Sequence, residues 1–283
     1  MTMPPPSDAP PAAARTGRQA PHATPHAISA PRIRPRTRAA AVPAPDTQAP
    51  RLVATIGMHA SASTWVFNVV RELLIAAVGD AQVLTFYADE LRQMPDEAAR
   101  AGRHLVIKSH HGSAELDTWL AAAQAPVFLS MRDPRDACIS MSQRFKAPLN
   151  HSVRWIANDC NRLLRLAPQG HPMLRYEDRF FDNLATAKHI AHALGLRVAP
   201  AMMKAIFARY RTEAVRSFAQ RLSDLPPERL TPVGPAMMDR VTQILGPHIG
   251  DTRTGKWRDL PAPAPAELTR VFTPFLDRFG YPR

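Results

Sequence analysis

The sequence is poor in cysteine and in long apolar runs, and both absences narrow what the protein can be. Its 283 residues include only two cysteines, Cys138 and Cys160, too few for a disulfide framework or a structural zinc site. No apolar run approaches the roughly 18 residues that a membrane-spanning helix needs. The first residues also lack the apolar stretch of a secretory signal. We therefore expect a cytoplasmic protein that contains no metal.

Large apolar residues are scarce in the first 51 positions. This segment holds 12 of the 29 prolines, long Ala/Pro runs, and seven arginines against two aspartates. Such a composition predicts a disordered tail over 1–51, followed by one domain over 52–283. A solvated tail is the simpler interpretation, and contact with nucleic acid, an anionic membrane or an acidic partner is the alternative.

The positive charge is concentrated in that tail, which supplies +5 of the formal net charge of +12. The remainder is spread over a much longer stretch. This distribution fits an electropositive cleft for an anionic cofactor better than a surface that follows a nucleic-acid backbone. We therefore expect no specific nucleic-acid partner.

Strand-like and helical patterns alternate after the tail. Short apolar runs predict strands over 52–56, 104–108, 127–131 and 173–176, and apolar residues at helical spacing predict helices over 64–78, 114–123, 134–145, 153–166, 184–194 and 201–207. Asp182-Asn183 and Gly195 are start and stop signals for the fifth helix. The alternation predicts an α/β fold with a central parallel sheet flanked by helices, a three-layer sandwich like that of P-loop NTPases.

The loop from Gly57 to Thr64 joins the first predicted strand to the first predicted helix. Its small side chains and the open N–H groups of a helix N-terminus favour an anion. The spacing is that of the phosphate-binding loop G-x-x-x-x-G-K-[ST], with Ala62 for the second glycine and Ser63 for the lysine. This predicts a bound phosphate or sulfate rather than ATP with magnesium. The alternative is an ordinary turn capped by Ser61 or Ser63.

Polar residues also follow the other predicted strands, where ligands bind in open α/β sheets. They are Lys108-Ser109-His110-His111, Arg132-Asp133 and Glu177-Asp178. A histidine there can take a proton from an acceptor hydroxyl, because its reference pKa of about 6.5 lies near neutral pH. The alternative is a histidine that only binds a loop carbonyl.

Arg132 precedes a predicted helix, and Ser140 lies about two turns along it. Asp133 suits the cap of this helix and Pro134 its first turn. The Arg132 guanidinium and the Ser140 hydroxyl can both bind a second phosphate group. The alternative is a surface ion-pair cluster, formed by Arg132, Asp133, Arg135 and Asp136.

Aromatic residues can wall a base pocket or belong to the core; the candidates are Trp65, Tyr176 and Phe218. Near the C-terminus, the basic segment 253–258 can close over an anion or form a solvated turn.

Taken in chain order, these segments resemble those of the sulfotransferase family that uses 3′-phosphoadenosine 5′-phosphosulfate (PAPS). The resemblance extends over residues 52–283. The family loop P-K-S-G-T-T-W aligns with His59, Ala60, Ser61, Ala62, Ser63, Thr64 and Trp65. The family motif K-T-H, whose histidine is the base, matches Lys108-Ser109-His110. The family's 3′-phosphate site, an arginine with a serine eight residues later, matches Arg132 and Ser140.

The resemblance implies PAPS as the donor, adenosine 3′,5′-bisphosphate (PAP) as the product, and no metal. It implies that His110 is the base and that Lys108 helps to hold the sulfonate. The family's Y-E-D segment matches Tyr176-Glu177-Asp178, with the tyrosine near the adenine, and Ser217-Phe218 matches a pair beside the adenine. The late element R-K-G-x-x-G-x-W is partial: Gly255 and Trp257 fit, but Gly250, Asp251 and Thr252 stand in place of R-K-G. Arg253, Thr254, Gly255 and Lys256 are the residues expected there.

Ala60 is the main departure, because the family has a lysine at this position that stabilises charge on the leaving group. Loss of such a preorganised group costs roughly 10²- to 10³-fold in rate. Three cations are candidates to replace it: Lys108, Lys256 and protonated His59. The alternative function is a weakened or inactive PAP- or PAPS-binding protein. A nucleotide kinase or NTPase is less favoured, since the loop has no lysine.

The acceptor is expected to be a hydroxyl or amine on a small molecule, sugar, lipid or peptide, and the sequence does not distinguish these. The segments 80–102 and 221–251 are expected to shape its pocket. Nothing in the sequence indicates the oligomeric state.

Overall fold

A computed structural model describes residues 49–283 of the chain. The predicted tail falls mostly outside these residues. The segment from 49 to 51 is packed against the domain: Ala49 is buried, and the Pro50 carbonyl lies 2.9 Å from His104 Nδ1.

The strands and helices alternate along the chain. The strands are β1 (Leu52–Gly57), β2 (Val83–Tyr87), β3 (His104–Ser109), β4 (Val127–Met131), β5 (Met173–Arg175), β6 (Leu230–Val233) and β7 (Ala236–Asp239). The helices are α1 (Ser63–Val78), α2 (Glu97–Arg100), α3 (Ala114–Ala122), α4 (Pro134–Phe145), α5 (Leu149–Leu166), α6 (Leu184–Ala193), α7 (Pro200–Arg209), α8 (Thr212–Gln220) and α9 (Ala264–Phe279). β1 to β5 form a parallel sheet in the order β2-β3-β1-β4-β5, and β6 and β7 form an antiparallel hairpin.

Helices cover both faces of the parallel sheet, because alternate strand residues point to opposite sides. Val53, Val106 and Phe128 pack under α1, α6, α7 and α8. Ile56 and Leu129 pack on the other face, under α3, α4, α5 and α9. The predicted three-layer α/β fold is therefore confirmed.

The predicted elements occur in the structure with small shifts at their ends, and α4 has the predicted bounds 134–145. The start signal of α6 works as expected, since the Asn183 side chain accepts a hydrogen bond from the Ala185 N–H. Asp133 likewise caps α4 by accepting from the Arg135 N–H. Local capping chemistry thus fixes where both helices begin.

Several elements were not predicted, namely β2, α2, the β6–β7 hairpin, α8 and α9. β2 is an edge strand, and its side chains are only partly buried, so it lacks the continuous apolar run of a central strand. Within residues 49–283, no helix is long and apolar enough to span a membrane.

Candidate functional site

The loop between β1 and α1 leaves a helix N-terminus open. α1 begins after Ala62, and no side chain caps it. The Ser61 hydroxyl instead donates to the Met58 carbonyl at 2.6 Å, so a cap by Ser61 or Ser63 is not what the structure has. The Trp65 N–H donates to the Ala62 carbonyl. The N–H groups of Ser63 and Thr64, which precede it in the helix, are open, as at any uncapped helix start. This end of α1 is suited to an anion.

The backbone of the loop is tight enough to constrain its side chains. A Cβ on Gly57 would lie 2.2 Å from Ser130 Oγ and 2.6 Å from Ser63 Cβ, so only glycine fits there. Ala60 and Ala62 have φ values of 60° and 61°, in the left-handed region that glycine adopts most easily. Both alanines therefore hold a backbone conformation that glycine would adopt with less strain.

A cavity of about 250 Å³ opens at this end of the sheet. Half of the residues that the sequence indicated line it: Ala60, Ala62, Ser63, Thr64, Trp65, Arg132, Ser140, Tyr176 and Lys256. They come from the loop, the end of β4, helix α4, the end of β5 and the C-terminal segment. The topology thus gathers at one sheet edge residues that are far apart in sequence.

Arg132, Ser140 and Lys256 form one hydrogen-bonded group in the cavity wall. Arg132 Nη1 donates to Ser140 Oγ at 3.3 Å, and Lys256 Nζ donates to the same oxygen at 3.0 Å. The Arg132 guanidinium also lies over the Tyr176 ring, 4.1 Å from its centroid. Two cations and a hydroxyl that converge in this way suit a phosphate group.

The residues around Arg132 are not a surface ion-pair cluster. Arg132, Asp133, Arg135 and Asp136 are all buried. Asp136 accepts hydrogen bonds from the N–H groups of Gly255 and Trp257, at 2.6 and 3.1 Å. This carboxylate therefore fixes the C-terminal segment against α4 and brings Lys256 to the cavity.

Lys108 reaches the loop from the end of β3. Its Nζ donates to Thr64 Oγ1 at 2.8 Å, although Lys108 itself does not line the cavity. Burial, together with the charge of Arg144, lowers the pKa of Lys108 to about 7. The ammonium is thus poorly stabilised by its surroundings, and a nearby anion would favour its charged form.

His110 is buried behind the loop. Its Nδ1 donates to the Gly57 carbonyl, and its N–H donates to Asp89 Oδ1 at 2.8 Å. Burial and the charges of His59 and Lys108 hold the pKa of His110 well below its usual range. A neutral ring with the proton on Nδ1 leaves Nε2 as a proton acceptor.

His59 and His111 share the carboxylate of Asp159, which is buried. Asp159 Oδ2 accepts from the His59 N–H and from His59 Nδ1, both at 2.8 Å, and Oδ1 lies 3.0 Å from His111 Nδ1. Burial alone would raise the pKa of Asp159, but the two histidines hold it well below its usual range. The nearby Asp159 carboxylate raises the pKa of His111.

The same three residues offer ligand atoms within 4.8 Å of one another, as a metal site would require. However, 2.8 Å is a hydrogen-bond distance, whereas two ligands of a tetrahedral zinc lie about 3.4 Å apart. The carboxylate therefore binds the His59 imidazole directly, whereas Asp159 Oδ1 and His111 Nδ1 lie close together without a hydrogen-bond partner among the described residues. The His59 ring also stacks on that of His110, with 3.8 Å between the centroids, which joins this cluster to the expected base.

The remaining indicated residues lie outside the cavity wall. Ser217 is exposed on α8, and Phe218 packs against the apolar cluster on the α1 side of the sheet. Arg253 and Thr254 are exposed, and Arg253 contributes its carbonyl, which accepts from Arg132 Nη2 at 3.0 Å. Gly255 has a φ of 79° and is held by Asp136.

Other cavity residues were missed, and the clearest is Arg144. It stands four positions after Ser140 on α4, a spacing that places both on one helix face. Residues of the segment 244–252 also line the cavity, among them His248. That segment was expected to shape an acceptor pocket, and it has no strand or helix pattern that would have indicated its position.

Several buried polar atoms in the cavity wall have no partner within residues 49–283. They are Trp65 Nε1, Asn68 Oδ1 and Arg132 Nε. Buried donors and acceptors are rarely left unpaired in a folded protein. A ligand with both donors and acceptors, such as a nucleotide, would satisfy them.

Comparison with known proteins identifies the fold. No protein-family model and no curated protein matches the chain. The structure of the mouse sulfotransferase SULT7A1 complexed with PAP matches with a TM-score of 0.56 and 14% identity, covering 80% of this chain and 84% of that chain. Two structures of retinol dehydratase with PAP, one with retinol and one with androsterone, match with a TM-score of 0.49 and 13% identity. They cover 81% of this chain and 82% and 81% of their own. The likeness to the mouse enzyme shows that the chain has the sulfotransferase fold.

Proposed function

We propose that the protein binds PAPS and transfers its sulfonate group to a hydroxyl or amine acceptor. The observation that carries this proposal is the convergence of Arg132 and Lys256 on one hydroxyl beside the uncapped N-terminus of α1. That arrangement offers two anion sites in one cavity, as a nucleotide with two separate phosphate groups requires. The SULT7A1 structure, which holds PAP on the same fold, supports the proposal.

Each end of the donor would meet a different part of the cavity. Arg132, Ser140 and Lys256 would hold the 3′-phosphate by charge-assisted hydrogen bonds. The open N–H groups of α1 and the hydroxyls of Ser63 and Thr64 would hold the 5′-phosphate. Trp65 and Tyr176 would contact the adenine.

When bound, PAPS supplies the sulfonate: the acceptor oxygen or nitrogen bonds to sulfur, the bond from sulfur to the bridging oxygen breaks, and PAP leaves with that electron pair. His110 Nε2 would take the acceptor proton. Lys108, held at Thr64 Oγ1, would lie near the transferred group. Fixed donors and cations of this kind act through charge stabilisation in a site that needs little reorganisation.

A binding protein without turnover is the second candidate, and two observations favour it. Ala60 offers no charge where the related loop has lysine, and neither Lys108 nor His110 lines the cavity. On this alternative the protein holds PAP or PAPS and transfers nothing.

Calorimetry with PAP and with ATP plus magnesium, followed by assays with ³⁵S-labelled PAPS and a panel of hydroxyl and amine acceptors, tests these functions. We expect tight PAP binding that does not depend on magnesium, together with labelled product from at least one acceptor. Binding without product from any acceptor would favour the second candidate. Tighter binding of ATP than of PAP would contradict both and favour a kinase or NTPase.

A further inference from the structure

Arg144 is a cation in the cavity wall that belongs neither to the loop after β1 nor to the Arg132–Ser140 pair. It lies on α4 one helical turn beyond Ser140, and it lines the same cavity as Ala60 and Thr64. The side chain is partly buried. A guanidinium in this position faces the ligand space rather than bulk solvent.

Arg144 has no carboxylate partner among the described residues. Its hydrogen bond runs from Nη2 to the His248 carbonyl at 3.0 Å, and its other nitrogens are open. Burial, with the charge of Arg132, lowers the pKa of Arg144 to about 10. A guanidinium taken from water without a counter-charge is destabilising unless an anion arrives to pair with it.

Among the other cations of this site, Arg132 and Lys256 make more hydrogen bonds to protein atoms than Arg144 does, although Arg132 Nε is unpartnered among the described residues. Arg132 donates to the carbonyls of Ala60 and Arg253 and to Ser140 Oγ. Lys256 donates to Ser140 Oγ and to the Asp251 carbonyl, and Lys108 donates to Thr64 Oγ1. Within residues 49–283, Arg144 is therefore the cation at this cavity with the most open donors.

Arg144 lines the same cavity as Thr64, the residue that Lys108 contacts. The charge of Arg144 is the electrostatic influence that acts most strongly on Lys108, which contacts the loop through Thr64. Arg132, in turn, is the charged neighbour that most affects Arg144. The charges of Arg132, Arg144 and Lys108 thus influence one another around the same cavity.

We infer that Arg144 binds the sulfonate of PAPS and supplies the positive charge that the loop lacks at Ala60. The inference rests on the proposed function and identifies the residue that would replace the lysine expected at position 60. The geometry that carries it is a guanidinium with open donors on α4, without a carboxylate partner among residues 49–283, in the same cavity as Ala60 and the open end of α1.

Comparing PAPS with PAP isolates the sulfonate, because the two ligands share the adenosine, the 3′-phosphate and the 5′-phosphate. We expect Arg144→Gln to lower the affinity for PAPS about tenfold or more by calorimetry, the loss of one charge-assisted contact, while the affinity for PAP changes less than about threefold. Lys146→Gln is the matched control, since it removes an exposed charge at the end of the same helix. This control should change neither affinity.

A rescue tests whether the two positions do the same work. Ala60→Lys in the Arg144→Gln background should restore at least half of the lost preference for PAPS, on a logarithmic scale. Arg144→Met, which keeps the length of the side chain, replaces Arg144→Gln if the latter melts early. Equal losses for PAP and PAPS, no loss for either, or no rescue would each overturn the inference. Failure of the wild-type protein to bind PAP would instead reject the proposed function.

Discussion

At the scale of single residues, the position of a proton on His110 follows from one hydrogen bond. The Gly57 carbonyl can only accept, so Nδ1 of His110 must carry the proton. Burial keeps the ring neutral, since it disfavours the imidazolium. His110 is thus held in the protonation state of a base before any substrate binds.

The pH dependence of kcat/KM tests this assignment, given a labelled acceptor from the panel above. The base must be neutral to act, and the pKa of His110 is lowered, so the acid limb should lie below pH ~6.5. Lys108 must be charged to hold the sulfonate, and its pKa is lowered to about 7, so a basic limb should appear near pH 7. His110→Gln should reduce the rate by about 10²- to 10⁴-fold and leave PAP binding nearly unchanged.

His189→Gln, an exposed histidine on α6, serves as the control and should match the wild type. His59 is the competing base, because Asp159 holds its Nδ1 and leaves Nε2 available. A rate that survives in His110→Gln and collapses in His59→Gln would transfer the role to His59.

At the scale of elements, α5 holds the histidines in place. Asp159 and Arg162 lie three residues apart on one face of this helix, and both are buried. Asp159 binds His59, as described above, while Arg162 donates to the His110 carbonyl at 3.2 Å and to Asp117 Oδ1 at 2.6 Å. The loop after β1 and the loop after β3 are therefore tied to the same helix.

Replacing Arg162 should show how much this tie stabilises the fold. Arg162→Leu leaves the Asp117 carboxylate, which is largely buried, without its closest cation, so the free energy of unfolding in urea should fall by about 3 kcal/mol. Arg165→Leu is the matched control: Arg165 lies 3.7 Å from the same carboxylate but is 53% exposed. Its loss should cost less than about 0.5 kcal/mol. Equal effects of the two variants would mean that Arg162 contributes no more than a surface ion pair.

At the scale of the whole molecule, the cavity gathers positive charge from segments that are distant in sequence. Arg132, Arg144 and Lys256 line it, and Lys108 lies behind it on Thr64. Within the described part of the chain, the carboxylate that lines it is that of Asp251, an exposed residue. Such an excess of one sign favours a ligand of the opposite charge. The folded protein should therefore be stabilised by that ligand.

A thermal melt with PAP measures this stabilisation. PAP at about 100 times its dissociation constant should stabilise the fold by about 2.7 kcal/mol, which raises the Tm by roughly 5 to 10 °C for a domain of this size. The shift should shrink as salt is raised, because screening weakens the contacts to the phosphates. Adenosine is the control and should give little shift; an equal shift with adenosine would show that the cavity does not recognise phosphate.

The sequence by itself determined four of the five strands of the parallel sheet, most of the helices, and the small-residue loop after β1 that we propose to hold an anion. These features rest on short-range patterns: apolar periodicity, the caps Asp133 and Asn183, and the small residues from Gly57 to Thr64. Such patterns act within a few residues, so they can be detected without knowledge of the fold. The edge strand β2 was not predicted. It pairs only with β3, so its side chains are partly buried and lack a continuous apolar run.

Only the tertiary structure decided which charged groups meet. His59 and Asp159 are 100 positions apart, and Arg132 and the Arg253 carbonyl are 121 apart. Whether such groups touch depends on how the helices pack on the sheet, which no local pattern specifies. For this reason the sequence did not indicate Arg144, which the packing of α4 places in the same cavity as Ala60.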